Sequence, residues 1–346
     1  MKIGICSIFI NSTCNKNKAN GLEIYYMRKA LIESGHDVYV IGYKNINNKH
    51  QDFYINAEDA PWETFDAIVL QNSKPVFFGG EFRTHIVPII EGIAKSRVQL
   101  YNFIADPHLP PTNPAKAMGR FNLCQEYVEI WDQLINESIQ IFPGKDIKKF
   151  NGWEKGRLIY FDMFTYMFKN HFKNKDNDVL FDIEHPKKYD VIYFGRNRKA
   201  YREKVLKRLM PESINNIIVG YKSKNINVNQ IPQIKHEELL NMINQSKVSL
   251  IIGDEEHLDN VITFRFYETL ASDCLAAIQI EYDSDKKLIK DPVLRDILYV
   301  KNSEDVKRLV DMYSPDLILR QKNELKRIFD EFNQVLDLNN NLIKNV

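Results

Sequence analysis

Hydrophobic positions in the first third of the chain alternate between short, strand-like apolar runs and stretches with helical spacing. The apolar runs that predict strands lie at 3–10, 38–41, 67–70 and 99–104. Apolar residues recurring every three or four positions predict helices over 21–34, which stops at Gly35, and over 82–95. Strands that alternate with helices favour a parallel sheet covered by helices on both faces.

The same alternation restarts in the second half. Strands are predicted at 189–194, 217–219, 248–252 and 275–280, and helices over the stretch ending at 209, over 237–244 and over 264–271. A section rich in aromatic residues and lysine, about 140–185, separates the two Rossmann-like halves. The tail 314–346 reads as mostly helical, and we expect its last helix, from Glu331 onward, to return to the first domain.

Length supports this division, because 346 residues at about 150 per domain predict two domains. We therefore expect a first domain over 1–175 with the C-terminal helix 331–346, and a second domain over 176–330. The net charge of +1 gives no global sign of a nucleic-acid partner, so DNA would need local basic patches. Four widely spaced cysteines predict neither disulfides nor zinc and favour a reducing cytoplasm, and no apolar run is long enough to span a membrane.

Open parallel sheets bind ligands at the carboxyl ends of their strands, and the turn at 194–202 carries a suitable pattern there. Four cations fall within residues 196–202, directly after Gly195. Glycine lets the backbone approach a ligand, a helix start offers free N–H groups, and arginines form bidentate bonds to phosphate. The turn predicts a diphosphate site without a GxGxxG fingerprint or a P-loop. A solvated basic helix start explains the same residues equally well.

Two carboxylates also follow apolar strands. Glu268, at a helix start, can accept both hydroxyls of a ribose, with Arg265 on the same side; an exposed ion pair between the two is the simpler interpretation. Asp106 ends a very apolar strand, a setting that suits a general base. A turn cap before the proline-rich loop 107–114 is the commoner role of such an aspartate.

Together these segments resemble the DNA β-glucosyltransferases of T-even phages over nearly the whole chain and in the same order. The segments that carry the resemblance are 21–25, 72–73 with 77–80, Asp106 with 109–110, 190–193 with Gly195, Arg198 and Arg202, and the long series 250–254, 259–260, 262–263, Arg265, 268–269 and 271–273. The resemblance implies the GT-B fold, in which two Rossmann-like domains with parallel sheets face a central cleft.

The resemblance also implies roles for individual residues. Asp106 corresponds to the general base, and Glu23 to an acidic residue beside the diphosphate arginines. Arg198 and Arg202 correspond to arginines that hold a UDP diphosphate, where fixed cations stabilise the leaving group. The complete set of donor-binding residues expected is Gly195, Arg196, Arg198, Arg202, Gly220, Ile234, His236, Asp254, Arg265 and Glu268, with Glu268 on the uridine ribose.

The implied reaction is an inverting transfer of glucose from UDP-glucose to the hydroxymethyl group of 5-hydroxymethylcytosine in double-stranded DNA, with base flipping. The chain departs from the family at Arg196, Gln233 and His236, where the family has serine, lysine and methionine. These departures leave another UDP-sugar, such as UDP-arabinose, or another hydroxymethylated base open. No metal ligand is expected: Asp283-Ser284-Asp285 reads as a turn, and magnesium would stimulate without being required.

DNA phosphates would be held by cations interleaved with aromatic residues. The candidates are Lys145, Lys148, Lys149, Lys155, Arg157, Lys169, Lys173 and Lys175. An amphipathic connection with a solvated lysine face fits these positions at least as well, and Phe77 or Phe78 would serve either as a base-step wedge or as core. A DNA acceptor predicts binding that weakens steeply with salt.

Two other classes of function compete with this one. The first is an enzyme of the same fold with a small-molecule, glycan or protein acceptor, and the second is a non-catalytic nucleotide-sugar or DNA-binding module. The resemblance to a phage enzyme implies a monomer without a membrane partner, acting in the cytoplasm of the infected host.

Overall fold

A computed structural model describes most of the two predicted halves and less of the connections between their elements. The described residues are 1–7, 19–42, 52–71, 83–103, 129–130, 133–134, 136–146, 148, 157–173, 186–195, 200–220, 222–223, 225–337 and 342–345, with the backbone alone at 7, 19–23, 71, 83–86, 171–173, 335–337 and 342–345. By its contacts the chain divides into two compact units, Met1–His171 with Asn333–Val346, and Phe172–Phe332.

The first unit contains a parallel sheet of seven strands in the order β3-β2-β1-β4-β5-β6-β7. The strands are β1 (Lys2–Ser7), β2 (Asp37–Gly42), β3 (Tyr54–Asn56), β4 (Ala67–Gln71), β5 (Gln99–Phe103), β6 (Ile139–Phe142) and β7 (Arg157–Tyr160), and the helices are α1 (Ala19–Glu33), α2 (Arg83–Ser96) and α3 (Met163–Lys173). Side chains such as Ile5 and Ile68 are fully buried, because helices cover a parallel sheet and leave its strands no solvent face.

Over the described residues, the predicted strands and helices of this unit are confirmed, and the section after residue 138 adds to them. Its short runs form β6 and β7 at the edge of the same sheet, paired in parallel through Ile139↔Arg157 and Phe142↔Tyr160. Helix α3 then begins at Met163 behind Asp162, whose carboxylate accepts a hydrogen bond from the Thr165 backbone N–H at 3.0 Å. The described part of the lysine-rich middle section therefore extends the first sheet.

The second unit contains a parallel sheet of six strands in the order β10-β9-β8-β11-β12-β13. The strands are β8 (Tyr189–Phe194), β9 (Asn216–Val219), β10 (Asn229–Ile231), β11 (Ser246–Ile251), β12 (Leu275–Gln279) and β13 (Tyr299–Val300), and the helices are α4 (Ala200–Leu209), α5 (His236–Asn244), α6 (Phe264–Leu270), α7 (Pro292–Ile297), α8 (Ser303–Asp311) and α9 (Pro315–Glu331). Strand β12 is buried at every position. All four strands predicted for this half are confirmed.

The prediction of a C-terminal helix over 331–346 is wrong. Helix α9 ends at Glu331, and an antiparallel hairpin follows, made of β14 (Gln334–Asp337) and β15 (Leu342–Asn345). Asparagines at 333 and 339–341 favour turns over a helix interior, and a two-stranded ribbon satisfies the backbone hydrogen bonds on either side of them. The Gln334 side chain accepts a hydrogen bond from the Asp162 backbone N–H at 3.2 Å, within the first unit.

The strand order of the second sheet fixes where a ligand can bind. Strand β8 lies between β9 and β11, so the chain leaves β8 toward one edge and later returns to its other side. This reversal is a topological switch point, and the carboxyl ends of the flanking strands form a crevice there. Gly195 follows β8, Gly220 follows β9, and Asp254 follows β11.

Candidate functional site: the carboxyl edge of the second sheet

The turn after β8 has a backbone that only glycine adopts easily. Gly195 has a φ of +138° and Gly220 a φ of +84°, both in the region that disfavours L side chains. The Gly195 N–H donates to the Val219 carbonyl at 3.0 Å, which ties the two turns together. A Cβ atom at Gly195 would lie 2.2 Å from Nη2 of Arg265. Gly195 therefore makes room for a cation directly beside the turn.

Arg265, on α6, is the cation beside that turn. Its Nη1 donates to the Ile252 carbonyl at 2.8 Å, and its guanidinium carbon lies 5.0 Å and 5.2 Å from the ring centroids of Tyr193 and Phe194. Within the described part of the chain, the buried Nε of Arg265 and the buried Tyr193 hydroxyl have no hydrogen-bond partner. Buried polar groups are nearly always satisfied, so these atoms are suited to bind a ligand.

Arg202 and Asp254 form a second charged feature of the edge. Nη2 of Arg202, on α4, lies 2.5 Å from Oδ2 of Asp254, and both residues are buried. The ion pair fixes the start of α4 to the end of β11 and balances the charge of Arg202. His257 holds the same turn, because its Nδ1 accepts a hydrogen bond from the Asp254 N–H at 3.3 Å.

Glu268 and His236 form the third charged feature of the carboxyl edge. Oε1 of Glu268, on α6, lies 3.7 Å from Nε2 of His236, the first residue of α5, and their side chains are 11% and 9% exposed. Burial raises the pKa of Glu268 to about 7, partly opposed by the positive charge of Arg265. Burial lowers the pKa of His236. The Glu268 side chain is thus largely removed from water, and a small part of it stays accessible to solvent.

These positions decide two of the alternatives. Arg265 and Glu268 do not form an exposed ion pair: Arg265 packs on two rings, and Glu268 faces His236. The reading of 283–285 as a turn is confirmed, because the Asp283 carboxylate accepts hydrogen bonds from the backbone N–H groups of Lys287 and Leu288 at 3.0 and 2.8 Å.

The structure describes the remaining predicted site residues to different extents. Ile234 is half-buried against the core formed around β8 and β9. Glu23 lies in α1, in the first unit, with only its backbone described. Asp106, Arg196 and Arg198 lie outside the described residues. Among the residues that are described, no group of three His, Cys, Asp or Glu side chains is arranged to hold a metal ion.

Three residues of the edge were missed from the sequence. The Tyr193 hydroxyl lies close to Gly195, at 3.5 Å from where a Cβ atom would be if the glycine had one. Gln279, fully buried at the end of β12, accepts from the Gly253 N–H at 3.3 Å and donates to the Tyr201 hydroxyl at 2.8 Å. The Tyr282 hydroxyl accepts from the Thr263 N–H at 2.7 Å, at the start of α6. For Tyr193 and Gln279, the sequence offers one signal of a role in the site: a polar side chain at the carboxyl end of an apolar strand.

Comparison with known proteins supports the expectation drawn from the sequence. No protein-family model matches the chain. The DNA beta-glucosyltransferase of Enterobacteria phage T4 is 27% identical over 337 residues, which are 93% of this chain and 92% of that protein. The solved structure of a T4 phage β-glucosyltransferase mutant in complex with UDP-glucose has a TM-score of 0.78 at 22% identity and covers 96% of both chains.

A more distant structure shares the fold. An alpha-glucosyltransferase in complex with UDP-glucose and DNA containing an abasic site has a TM-score of 0.54 at 12% identity, covering 95% of this chain and 94% of that one. The predicted resemblance and the predicted α/β fold with two Rossmann-like parallel sheets are confirmed by these comparisons, and so is the prediction of a glycosyltransferase.

Proposed function

We propose that this glycosyltransferase moves glucose from UDP-glucose to the hydroxymethyl group of 5-hydroxymethylcytosine in double-stranded DNA, with inversion at the anomeric carbon. Similarity to a phage DNA beta-glucosyltransferase over more than nine-tenths of both chains supports the reaction class. The observation that carries the donor assignment is the carboxyl edge of the second sheet, where a glycine turn, a half-buried cation and a largely buried carboxylate adjoin.

The ribose and the diphosphate of UDP-glucose each have groups at this edge that suit them. The Glu268 carboxylate accepts hydrogen bonds from the two ribose hydroxyls, which a carboxylate with open lone pairs is able to do. Arg265, beside Gly195, is suited to bind the diphosphate. Arg202, held by Asp254, adds a guanidinium at the start of α4, where the helix dipole also favours an anion. Arg196 and Arg198 complete this cationic turn in our proposal.

The chemistry is a single displacement. The hydroxymethyl oxygen attacks C1 of glucose, the bond from C1 to the diphosphate oxygen breaks, and UDP leaves with the bonding electron pair. The hydroxyl proton passes to Asp106, which the resemblance assigns as the base, and the resemblance assigns Glu23 as the acidic residue near the diphosphate arginines. Negative charge grows on the leaving diphosphate, so cations fixed beforehand stabilise the transition state more than the ground state. One displacement converts an α-linked donor into a β-linked product.

The acceptor base has to leave the duplex for this attack, and flipping it out requires contacts to the flanking phosphates. Lys145 and Lys148, which follow β6, are exposed, as is the aromatic ring of Tyr160 at the end of β7. These residues are suited to phosphate and sugar contacts. Within the described part of the chain, no helix is long and apolar enough to cross a membrane. We propose a monomer that acts on DNA in the host cytoplasm, with magnesium as a stimulant only.

Mass spectrometry of treated DNA tests the proposal most fully. Duplexes with 5-hydroxymethylcytosine, 5-hydroxymethyluracil or cytosine at one position are incubated with UDP-glucose, UDP-arabinose or another UDP-sugar. We expect a hexose added to 5-hydroxymethylcytosine from UDP-glucose, with a β linkage by NMR. An α linkage would contradict single displacement. Addition of another sugar, or addition to 5-hydroxymethyluracil, would change the assigned substrate but leave the assignment as a DNA glycosyltransferase unchanged.

A variant separates an enzyme from a binding module. Asp106→Ala is expected to abolish sugar transfer while leaving UDP-glucose affinity within about twofold. Absence of transfer by the intact protein, together with retained donor binding, would favour a non-catalytic module.

A further inference from the structure

The contact between His236 and Glu268 joins two ionisable side chains that both lie almost entirely out of water. His236 opens α5 and Glu268 lies in the middle of α6, so the pair bridges two helices at the carboxyl edge of the second sheet. The distance of 3.7 Å between Nε2 and Oε1 is too long for a hydrogen bond but short for two charges. The two side chains therefore face each other without a hydrogen bond between them.

Few other charges face this pair. Among the described residues, Arg265, one turn earlier on α6, is the charge that acts on Glu268, and its guanidinium carbon lies 5.0 Å from the ring centroid of Tyr193 on β8. Glu237 and Glu238, the next two residues of α5, are exposed to solvent. Burial raises the pKa of Glu268 to about 7 and lowers the pKa of His236, so Glu268 holds a proton more readily than His236 does.

We propose that His236 is a positioning residue for the donor: when Glu268 accepts the ribose hydroxyls as a carboxylate, its proton moves to Nε2 of His236 and stays within the site. This inference rests on the proposed placement of the donor ribose at Glu268. The O–H bond of the carboxylic acid breaks, an N–H bond forms on the imidazole, and no proton enters or leaves the protein. The resulting imidazolium then holds the carboxylate in place through the opposite charge.

The proton count follows from the hydrogen bonds. Glu268 binds the two ribose hydroxyls best when it is ionised, because each carboxylate oxygen then accepts from one hydroxyl, whereas a protonated carboxyl group presents one oxygen as a donor. With His236 present, the ionisation stays internal and donor affinity is nearly independent of pH around neutrality. Without an imidazole the proton is released to solvent, and by linkage the affinity falls as the pH drops below the pKa of Glu268.

Calorimetry of UDP-glucose binding, without DNA, measures this directly. UDP-glucose is the suitable probe because its diphosphate does not titrate near neutral pH. Proton release is obtained at pH 6.5 from binding enthalpies in two buffers of different ionisation enthalpy. The intact protein is expected to release less than about 0.2 proton, and His236→Gln, which keeps a polar side chain but cannot take up a proton, about 0.75 proton, as a single site with a pKa of about 7 requires. The matched control Glu237→Gln changes an exposed neighbour and is expected to behave as the intact protein.

The affinities provide a second readout. From pH 7.5 to 6.5 the affinity of His236→Gln for UDP-glucose is expected to fall about threefold, against less than 1.5-fold for the intact protein. Equal proton release by the two proteins would overturn the inference. A Glu268→Gln variant that binds UDP-glucose as tightly as the intact protein would also overturn it, whereas intact protein that fails to bind UDP-glucose at all would overturn the proposed function itself.

Nuclear magnetic resonance avoids dependence on a variant that folds. In the intact protein at pH 7, the imidazole C–H signals of His236 are expected to shift from the neutral toward the protonated position when UDP-glucose saturates the site. Signals that keep the neutral position at saturation would contradict the proton transfer.

Discussion

The two edges of the second sheet both bury charged side chains, and they treat them in opposite ways. At the amino edge, before β8, β11 and β12, Nζ of Lys322 lies 2.6 Å from Oδ1 of Asp273, and Nζ of Lys187 donates to the Asn244 and Asp273 carbonyls at 2.6 Å each. At the carboxyl edge, Arg265 has one acceptor among the described residues, and Glu268 faces His236 across 3.7 Å.

Burial is therefore not what distinguishes a structural charge from a functional one in this fold. A buried charge costs free energy until it is paired and hydrogen-bonded. The amino edge meets that requirement inside the protein. The carboxyl edge leaves it partly unmet, and a ligand with a diphosphate and a ribose diol would supply the missing partners. This contrast predicts that variants of the first edge change stability, and variants of the second change binding.

The largest effect is expected at the amino edge. Lys322→Met leaves the Asp273 carboxylate buried without its cation, and the free energy of unfolding is expected to fall by about 3–5 kcal/mol in denaturant titrations. Lys326→Met, at an exposed position of the same helix, is the matched control and is expected to cost no more than about 0.5 kcal/mol. Similar small losses for both would remove the structural role of the amino-edge pair.

The next effect is a gain in stability at the other edge. The pKa of Glu268 is raised from 4.5 to about 7 in the folded protein. The stability that protonated Glu268 allows is therefore present below pH 4.5 and is lost as the pH rises toward 7. Replacing it by a permanently neutral amide, Glu268→Gln, is expected to raise the free energy of unfolding at pH 8 by up to about 3 kcal/mol, at about 1.36 kcal/mol per pKa unit, with little change at pH 5. Equal or lower stability at both pH values would contradict this account.

Arg265 is expected to affect binding more than folding. Arg265→Gln removes the cation from the Gly195 turn, and UDP-glucose affinity should fall by about 10- to 100-fold, since a hydrogen bond to a charged group contributes about 1.5–3 kcal/mol. The free energy of unfolding should change by less than about 1 kcal/mol. Arg208→Gln, in an exposed pair with Glu281 at 2.7 Å, is the control for loss of a surface cation. Equal donor affinity of Arg265→Gln and this control would exclude Arg265 from the donor site.

The smallest effect is expected at Tyr193. Tyr193→Phe removes a buried hydroxyl that has no hydrogen-bond partner among the described residues, so stability should be unchanged or higher by up to about 1 kcal/mol. UDP-glucose affinity should fall a few-fold. Tyr299→Phe provides the contrast, because the Tyr299 hydroxyl donates to Asp283 and its removal should cost about 1–2 kcal/mol. The reverse order of stabilities would show that the Tyr193 hydroxyl is satisfied within the protein.

The sequence predicted the sheets well because their strands are continuous apolar runs bounded by glycine or polar turns. The predicted strand 189–194 begins and ends at the same residues in the structure, and the glycine after it indicates a ligand-binding turn. Tyr193 and Gln279 were not predicted as parts of the site. In an apolar strand a tyrosine resembles any core residue, and its role depends on which helix crosses the strand end, here α6 with Arg265. Strand order, and hence which strand ends adjoin, is a property of the whole sheet.

The C-terminal hairpin is a secondary-structure element that the sequence pattern predicts wrongly. The apolar periodicity of α9 predicts a helix that continues through Asn333 to the end of the chain, whereas the asparagines there favour turns and the structure has a hairpin. Helical spacing over four or five residues is also compatible with strand alternation, and local turn residues decide between them.

Donor consumption with matched duplexes tests the central claim most directly. UDP release from UDP-glucose is followed with a duplex that carries one 5-hydroxymethylcytosine and with the same duplex carrying cytosine. We predict one UDP released per modified base and no release above background with the unmodified duplex. Equal release from both duplexes, or release without DNA, would contradict a DNA hydroxymethylcytosine acceptor.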